Sequence, residues 1–324
     1  MTARWRRCRL IIAAVGGAAA LFCGPAAATK LAGVPAAPHP ALARLTAHFQ
    51  AASHSAECDP TASLHPVGPP VVTPGSYMAR IKKRGYLIAG VDQSTYHFGY
   101  LNPLNGQLEG FDIDMVRAVA AAIFGNPKNR IRFVSISDDQ RKWAIRSGEV
   151  DIVAHTMTIT CARWRKVAFS TVYLVAAQRV LVPLTSSATS LSDLLGQKVC
   201  ATTGSTSLGF IRAYFINLGT VEPVASVRYW TDCLVLLQEG KVAAISTDDT
   251  ILAGLAAQDP EAKIIGPPLN SQPYGLAISL KHPDFVRFVN AVLARMRADG
   301  QWAASYRHWI GTSVPAPPPA QYRD

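Results

Sequence analysis

Gly148-Glu149-Val150-Asp151-Ile152-Val153-Ala154-His155-Thr156-Met157-Thr158-Ile159-Thr160 is the stretch on which the fold reading turns. A glycine turn leads into a short apolar run, Asp151 to Ala154, which reads as a buried strand. A polar segment with three threonines follows it immediately. A helix running through Ala144 and Ile145 comes before it, so one helix–strand unit delivers a polar loop at the strand's end.

Outward from this unit the same alternation repeats. Tyr86 to Val91 is an apolar run ending at Asp92, and Gly110 to Phe124 has the helical spacing of Phe111, Ile113, Val116, Val119, Ala120 and Ile123. Ile131 to Ile136 alternates like a strand. Beyond the apolar run Val180-Leu181-Val182 come a strand at Lys198 to Ala201, a helix from about Ser207, a helix through Leu234 to Leu237 and a strand at Val242 to Ser246. A long helix from Asp284 to Arg297 and a shorter one holding Trp302, Tyr306 and Trp309 end the pattern. Strands alternating with helices imply an α/β chain with largely parallel sheets, and the two runs either side of Val180–Val182 imply two lobes.

The 324 residues are about half apolar and 16% charged, enough for one large or two ordinary cores. The beginning differs from the rest. Arg4, Arg6, Arg7 and Arg9 precede an apolar run from Leu10 to Cys23, and Ala26, Ala27 and Ala28 follow it. That order reads as an export signal over residues 1–28, too short to span a bilayer as a stable helix. Two exits are open: cleavage after Ala28, or a lipidated Cys23, which Phe22 disfavours because the residue before such a cysteine is normally small. Export places the body outside the cytoplasm, free or lipid-anchored.

The net charge of +11 includes the four signal arginines. The remaining basic residues are scattered, with no run longer than Lys82-Lys83-Arg84, and export removes a nucleic-acid partner. Cys58, Cys161, Cys200 and Cys233 lie beyond the signal; an even count in an oxidising compartment indicates two disulfides, with three pairings open. The histidines are not spaced to complete a zinc site, and no cofactor is expected. Residues 29–75, rich in Pro and Ala, read as an extended tether in which only Cys58-Asp59-Pro60 looks fastened. The proline-rich tail 313–324 reads as wrapping loosely.

In order along the chain, Gly110-Phe111-Asp112-Ile113-Asp114, Gly148 to Val153, Thr156 to Thr160, Arg163, Phe169-Ser170, Thr203-Gly204-Ser205-Thr206-Ser207, Thr247-Asp248-Asp249 and Gln272-Pro273-Tyr274-Gly275 resemble the bacterial extracellular solute-binding family for polar amino acids. So does the ending, Asp299-Gly300 followed by Trp302, Tyr306, Trp309 and Gly311. The likeness runs from about Ser76 to Gly311 and is greatest to glutamine/glutamate-binding lipoproteins of Gram-positive and mycobacterial type.

The resemblance implies a type II periplasmic-binding-protein fold. Lobe I would be 76–177 and 275–312, and lobe II 178–274. Two hinge crossings fall near Ala176–Gln178 and Gln272–Tyr274, so closure on a ligand would be a rigid-body motion. It also implies a ligand set. Arg163 would grip an α-carboxylate as a bidentate fork, helped by Thr158. Ser205 and Thr206, where a glycine turn enters a helix, would offer backbone N–H groups to the same anion. Asp248 would accept the α-ammonium, with Thr156 adding acceptor capacity.

At the side-chain end Asp92, Tyr96, Phe98 and Arg141 are candidates, with His155 equally readable as a structural histidine. Many relatives stack the ligand between two aromatic rings, whereas Thr95 and Asp138 stand near those positions here. Glutamate, glutamine, aspartate and asparagine therefore all stay open. The same resemblance favours pairing Cys200 with Cys233 and Cys58 with Cys161. The implied role is that of a monomer presenting an amino acid to an ABC permease. A ligand-sensing subunit of a membrane signalling protein is the alternative. An enzyme is the least supported reading, since no nucleophile–base pair is visible.

Overall fold

The computed structural model describes residues 58–220 and 223–324. The export signal, Cys23 and most of the tether lie outside the described residues. No described helix is long and apolar enough to cross a membrane.

Two sheets organise the chain. In the first the order is Ile131–Ser135, Leu87–Val91, Ile152–Ala154, Ala277–Ile278, Ala168–Phe169. Leu87–Val91 runs parallel to both of its neighbours, while Ala277–Ile278 is antiparallel to both of its own. The central strands are apolar on both faces, as parallel strands covered by helices must be. Helices Phe111–Phe124 and Pro283–Ala298 bury Val116, Val119, Phe285 and Val289 in the core on one side. A second cluster with Ile145, Val153 and Met157 fills the other.

The second sheet has the order Val224–Val227, Val199–Thr202, Ala244–Asp248, Leu174–Pro183, Ala262–Ile265. Its core joins Leu181 and Ile245 to Ile211, Leu234 and Leu252 from three helices. The Ala244–Asp248 strand ends two residues later than its apolar run suggests. Thr247 and Asp248 continue the ladder opposite Arg179 and Gln178.

Leu174–Pro183 connects the halves. Its first residues pair antiparallel with Ser271–Tyr274, its later ones with the second sheet. Leu174, Ala176 and Tyr274 belong to the first core, Val180, Leu181 and Val182 to the second. Two antiparallel strands thus carry the chain from one core to the other.

The structure pairs Cys58 with Cys161 and Cys200 with Cys233, with Cα separations of 6.0 and 5.7 Å. The second bridge ties the strand Val199–Thr202 to the helix Trp230–Gln238 packed beside it, and closing its 33-residue separation stabilises by about 3–4 kcal/mol.

Residues 58–75 and the tail differ from the extended tether and loose tail expected of their composition. Ala62–Ser63 pairs parallel with Gln321–Tyr322. Asn290 Nδ2 donates to Ser63 Oγ (2.8 Å) and to the Leu64 carbonyl (2.6 Å), Arg287 pairs with Asp324, and the Arg323 guanidinium lies 3.7 Å over the Trp164 ring. Proline content hides such anchoring because the partners are distant in sequence, more than two hundred residues away for Ser63 and Leu64.

Candidate functional site

The two lobes meet across a cleft lined from the first by Asp138, Arg141, Thr156, Thr158 and Arg163, and from the second by Ser205, Thr206, Ser207, Trp230, Thr247, Asp248 and Ile251. The threonine segment is clamped to the connecting strand. Ile159 N–H donates to the Pro273 carbonyl (2.7 Å) and Gly275 N–H to the Met157 carbonyl (3.1 Å). Thr158 is thereby turned toward the second lobe. Its hydroxyl donates to Gln272 Oε1 (2.7 Å), as does that of Thr206 (3.1 Å).

Arg163 lies in the short helix Cys161–Trp164, capped by Thr160, whose hydroxyl accepts from the Arg163 N–H. The side chain is buried. Nη1 donates to the Thr158 carbonyl (2.8 Å), and Nη2 reaches across to the Gly204 carbonyl (3.1 Å). Burial, with the nearby Arg141 charge, pushes its pKa down to about 9, so it is still a cation at neutral pH.

Asp248 closes the strand Ala244–Asp248 and is 3% exposed. Tyr274 OH donates to its Oδ2 at 2.5 Å, while Oδ1 is buried with no hydrogen-bond partner among the described residues. Burial raises its pKa to about 7 against the Tyr274 hydrogen bond. A carboxylate held this way has strong reason to meet a cation. Asp249, the first residue of the helix Asp249–Gln258, turns its carboxylate to the backbone: its Oδ1 accepts from Ala177 N–H and Thr250 N–H.

Thr156 has a left-handed backbone, φ 42°. Asp112 holds it there. Its Oδ2 accepts from Thr156 N–H (2.7 Å) and its Oδ1 from Tyr173 OH (2.5 Å), so this acid in the first turn of Phe111–Phe124 is a buried brace for the cleft loop. Ser205 caps the helix Thr206–Asn217, its Oγ accepting from Leu208 N–H.

Asp92, Phe98, Tyr96 and His155 fall outside the cleft lining. Asp92 spends its carboxylate on a tight turn, accepting from Gln93 N–H, Ser94 N–H, Ser94 Oγ and Thr95 Oγ1. Phe98, 1% exposed, packs in the first core against Phe111 and Tyr274. Tyr96 packs tilted against the His97 ring and edge-on to the Tyr100 ring, and presents its backbone carbonyl to Gly254 of the second lobe. His155 sits behind the lining, its Nε2 2.9 Å from the Ile136 carbonyl.

Conversely, Gln272, Tyr274 and Trp230 join the site without having been singled out as site residues. The first two arrive through strand pairing, and the third through the start of its helix. Only the run Gln272-Pro273-Tyr274-Gly275 signalled any of them.

The lobes are closed on each other. Thr202 Oγ1 donates to Asp138 Oδ2, and Arg228 donates to Gln140 Oε1 (3.2 Å). Gly204 and Gly254 permit the approach: a Cβ there would stand 2.6 Å from Asp139 Cα and 2.7 Å from the Tyr96 carbonyl oxygen.

Residues 87–312 match the family described as bacterial extracellular solute-binding proteins, family 3. The ABC transporter glutamine-binding protein of Bacillus subtilis is 34% identical over 237 residues, covering 72% of this chain and 84% of that one. An ancestral arginine-binding protein solved bound to glutamine has a TM-score of 0.65 at 32% identity, over 70% of this chain and 99% of the other. An ancestral amino acid-binding protein described as a precursor of cyclohexadienyl dehydratase gives 0.66 at 29% identity, over 72% of this chain and all of the other.

Proposed function

The chain belongs to the bacterial extracellular solute-binding proteins, family 3, and from that premise we propose that it captures one polar or acidic amino acid (glutamate, glutamine, aspartate or asparagine) outside the cytoplasm for an ABC importer. The observation that carries the reading is the convergence of Arg163 and Asp248, from opposite lobes, on one buried cleft. A guanidinium suits an α-carboxylate and a buried carboxylate with a free oxygen suits an α-ammonium. Because the two groups belong to different lobes, a bridging zwitterion favours the closed form, and a ligand shifts a conformational equilibrium only through such differential contact.

The protein acts as a carrier in this proposal. The cleft's ionisable groups are placed to hold charges: Arg163 keeps N–H groups beyond those it gives to the Thr158 and Gly204 carbonyls, and Asp248 keeps Oδ1 beyond the oxygen that accepts from Tyr274. The test is calorimetry of the full chain against the twenty amino acids, with recovery of the ligand afterwards. Saturable binding of a polar or acidic amino acid recovered unchanged supports the proposal. Absence of binding to any of them, or turnover, refutes it.

Closure gives a second check that leaves the cleft chemistry alone. Gly254→Ala adds only a methyl, in a helix, against the Tyr96 carbonyl. It should open the lobes in small-angle scattering and weaken ligand binding by about tenfold or more, since apparent affinity scales with the fraction of closure-competent molecules. Unchanged affinity and unchanged scattering would show that closure does not depend on this contact.

A further inference from the structure

Two ion-pairing units line the cleft, and the proposed function uses only one of them. If Arg163 and Asp248 take the two charges of a zwitterion, Asp138 and Arg141 are left for the side-chain end. They form a complete pair. Arg141 Nη1 lies 2.8 Å from Asp138 Oδ1, both side chains are at most 4% exposed, and Thr202 of the second lobe donates to Asp138 Oδ2. Arg141 also commits Nε to the Asp138 carbonyl (2.9 Å) and Nη1 to the His155 carbonyl (2.9 Å), which leaves Nη2 as its remaining donor group.

We infer that the buried Asp138–Arg141 pair selects a ligand with a neutral carboxamide side chain over the corresponding acid or a cationic amino acid. This rests on the amino-acid reading above and deepens it. The reason is charge balance. With the zwitterion paired, the lining carries equal numbers of arginine cations and aspartate anions, so a side-chain carboxylate adds a buried negative charge with no cation of its own and stands beside Asp138 as a like charge. A lysine or arginine side chain adds a positive charge beside Arg141 and Arg163.

A carboxamide matches both partners. Its NH2 donates to a second lone pair of an Asp138 oxygen, and its C=O accepts from Arg141 Nη2. A free arginine would have favoured an acid. Asp138 removes that option by neutralising Arg141 within the same lobe.

The test is calorimetry of the full chain with L-glutamine, L-asparagine, L-glutamate, L-aspartate and L-arginine at about pH 8, above the value of about 7 to which burial raises the Asp248 carboxyl, so that the acceptor for the ammonium is charged. The better amide should bind at least about tenfold tighter than its own acid and than arginine. Asp138→Asn leaves Arg141 without its counter-charge and should narrow the amide-to-acid gap by about tenfold or more, mostly through a gain for the acid.

An acid that binds wild type as tightly as its amide overturns the inference while leaving amino-acid capture standing, and so does arginine binding as tightly as the amide. No binding by any of the five would overturn the inference together with the polar-amino-acid reading beneath it. An unchanged gap in a folded Asp138→Asn protein removes the assignment to Asp138. The wild-type comparison decides the matter even if that variant does not fold.

Discussion

Arg163→Ala should weaken amino-acid binding by about thirtyfold or more, because truncating one partner of a buried, hydrogen-bonded charge pair costs about 2–5 kcal/mol and each 1.4 kcal/mol is tenfold. The loss has two parts. The α-carboxylate loses its fork of donors, and the closed form loses the Nη2 contact to the Gly204 carbonyl. Calorimetry separates the second part from the first, because Gly254→Ala disturbs closure without removing the fork. A folded Arg163→Ala protein that binds as wild type does would leave the carboxylate without a receptor and end the proposed role of this residue.

Asp248→Asn should have opposite effects on binding and on stability. The folded-state pKa of Asp248 is raised from 3.8 to about 7 by burial, so the favourable contribution of its protonated form is complete below the unfolded value and is lost as pH rises through about 7. Asparagine is neutral at every pH and keeps an oxygen for Tyr274 OH. The ligand-free variant is therefore expected to be more stable than wild type above pH 7, by an amount on the order of a few kcal/mol.

Binding runs the other way. Asparagine offers the ammonium no charge, so affinity should fall by about a hundredfold or more. In wild type, affinity should decline as pH drops below about 7, by up to about tenfold per unit, because a protonated Asp248 must lose its proton to receive an ammonium. Thermal melts and calorimetry across pH 5 to 9, roughly the range in which these groups titrate, test both signs. A variant less stable than wild type at high pH, or a pH-independent wild-type affinity, contradicts the role assigned to Asp248.

Much of this was legible in the sequence, for reasons that differ by residue. The strands and helices are legible because their periods are local: Phe111–Phe124 shows helical spacing, and Leu87–Val91 is a short apolar run. Arg163, Thr158, Ser205, Thr206 and Asp248 can be singled out because each sits in a short motif at a strand or helix end, and strand ends of the two sheets face one cleft. Gln272 and Tyr274 could not be, because their side chains enter through pairing with Leu174–Pro183, a contact across about a hundred residues.

Phe98 shows the opposite failure. An aromatic after a strand looks available to a ligand, but the packing of Phe111 and Tyr274 around it is non-local. Asp92 has a local signal of its turn. Asp-Gln-Ser-Thr is a sequence in which an aspartate folds back on the next backbone N–H groups, and that local bond competes with any ligand. Asp112 hides for a third reason. An acid in a first helical turn has an adequate local explanation, and only the left-handed Thr156 behind it reveals the brace.

The zwitterion clamp is tested most directly by removing one ligand charge at a time. The tightest-binding amino acid should be compared by calorimetry with its N-acetyl and α-amide derivatives, on wild type, Asp248→Asn and Arg163→Ala. If both clamps act, each derivative binds wild type weakly, and the N-acetyl form loses least relative to its parent on Asp248→Asn, the α-amide least on Arg163→Ala. Derivatives that bind wild type as tightly as the parent amino acid would contradict the shared grip of Arg163 and Asp248 on one ligand.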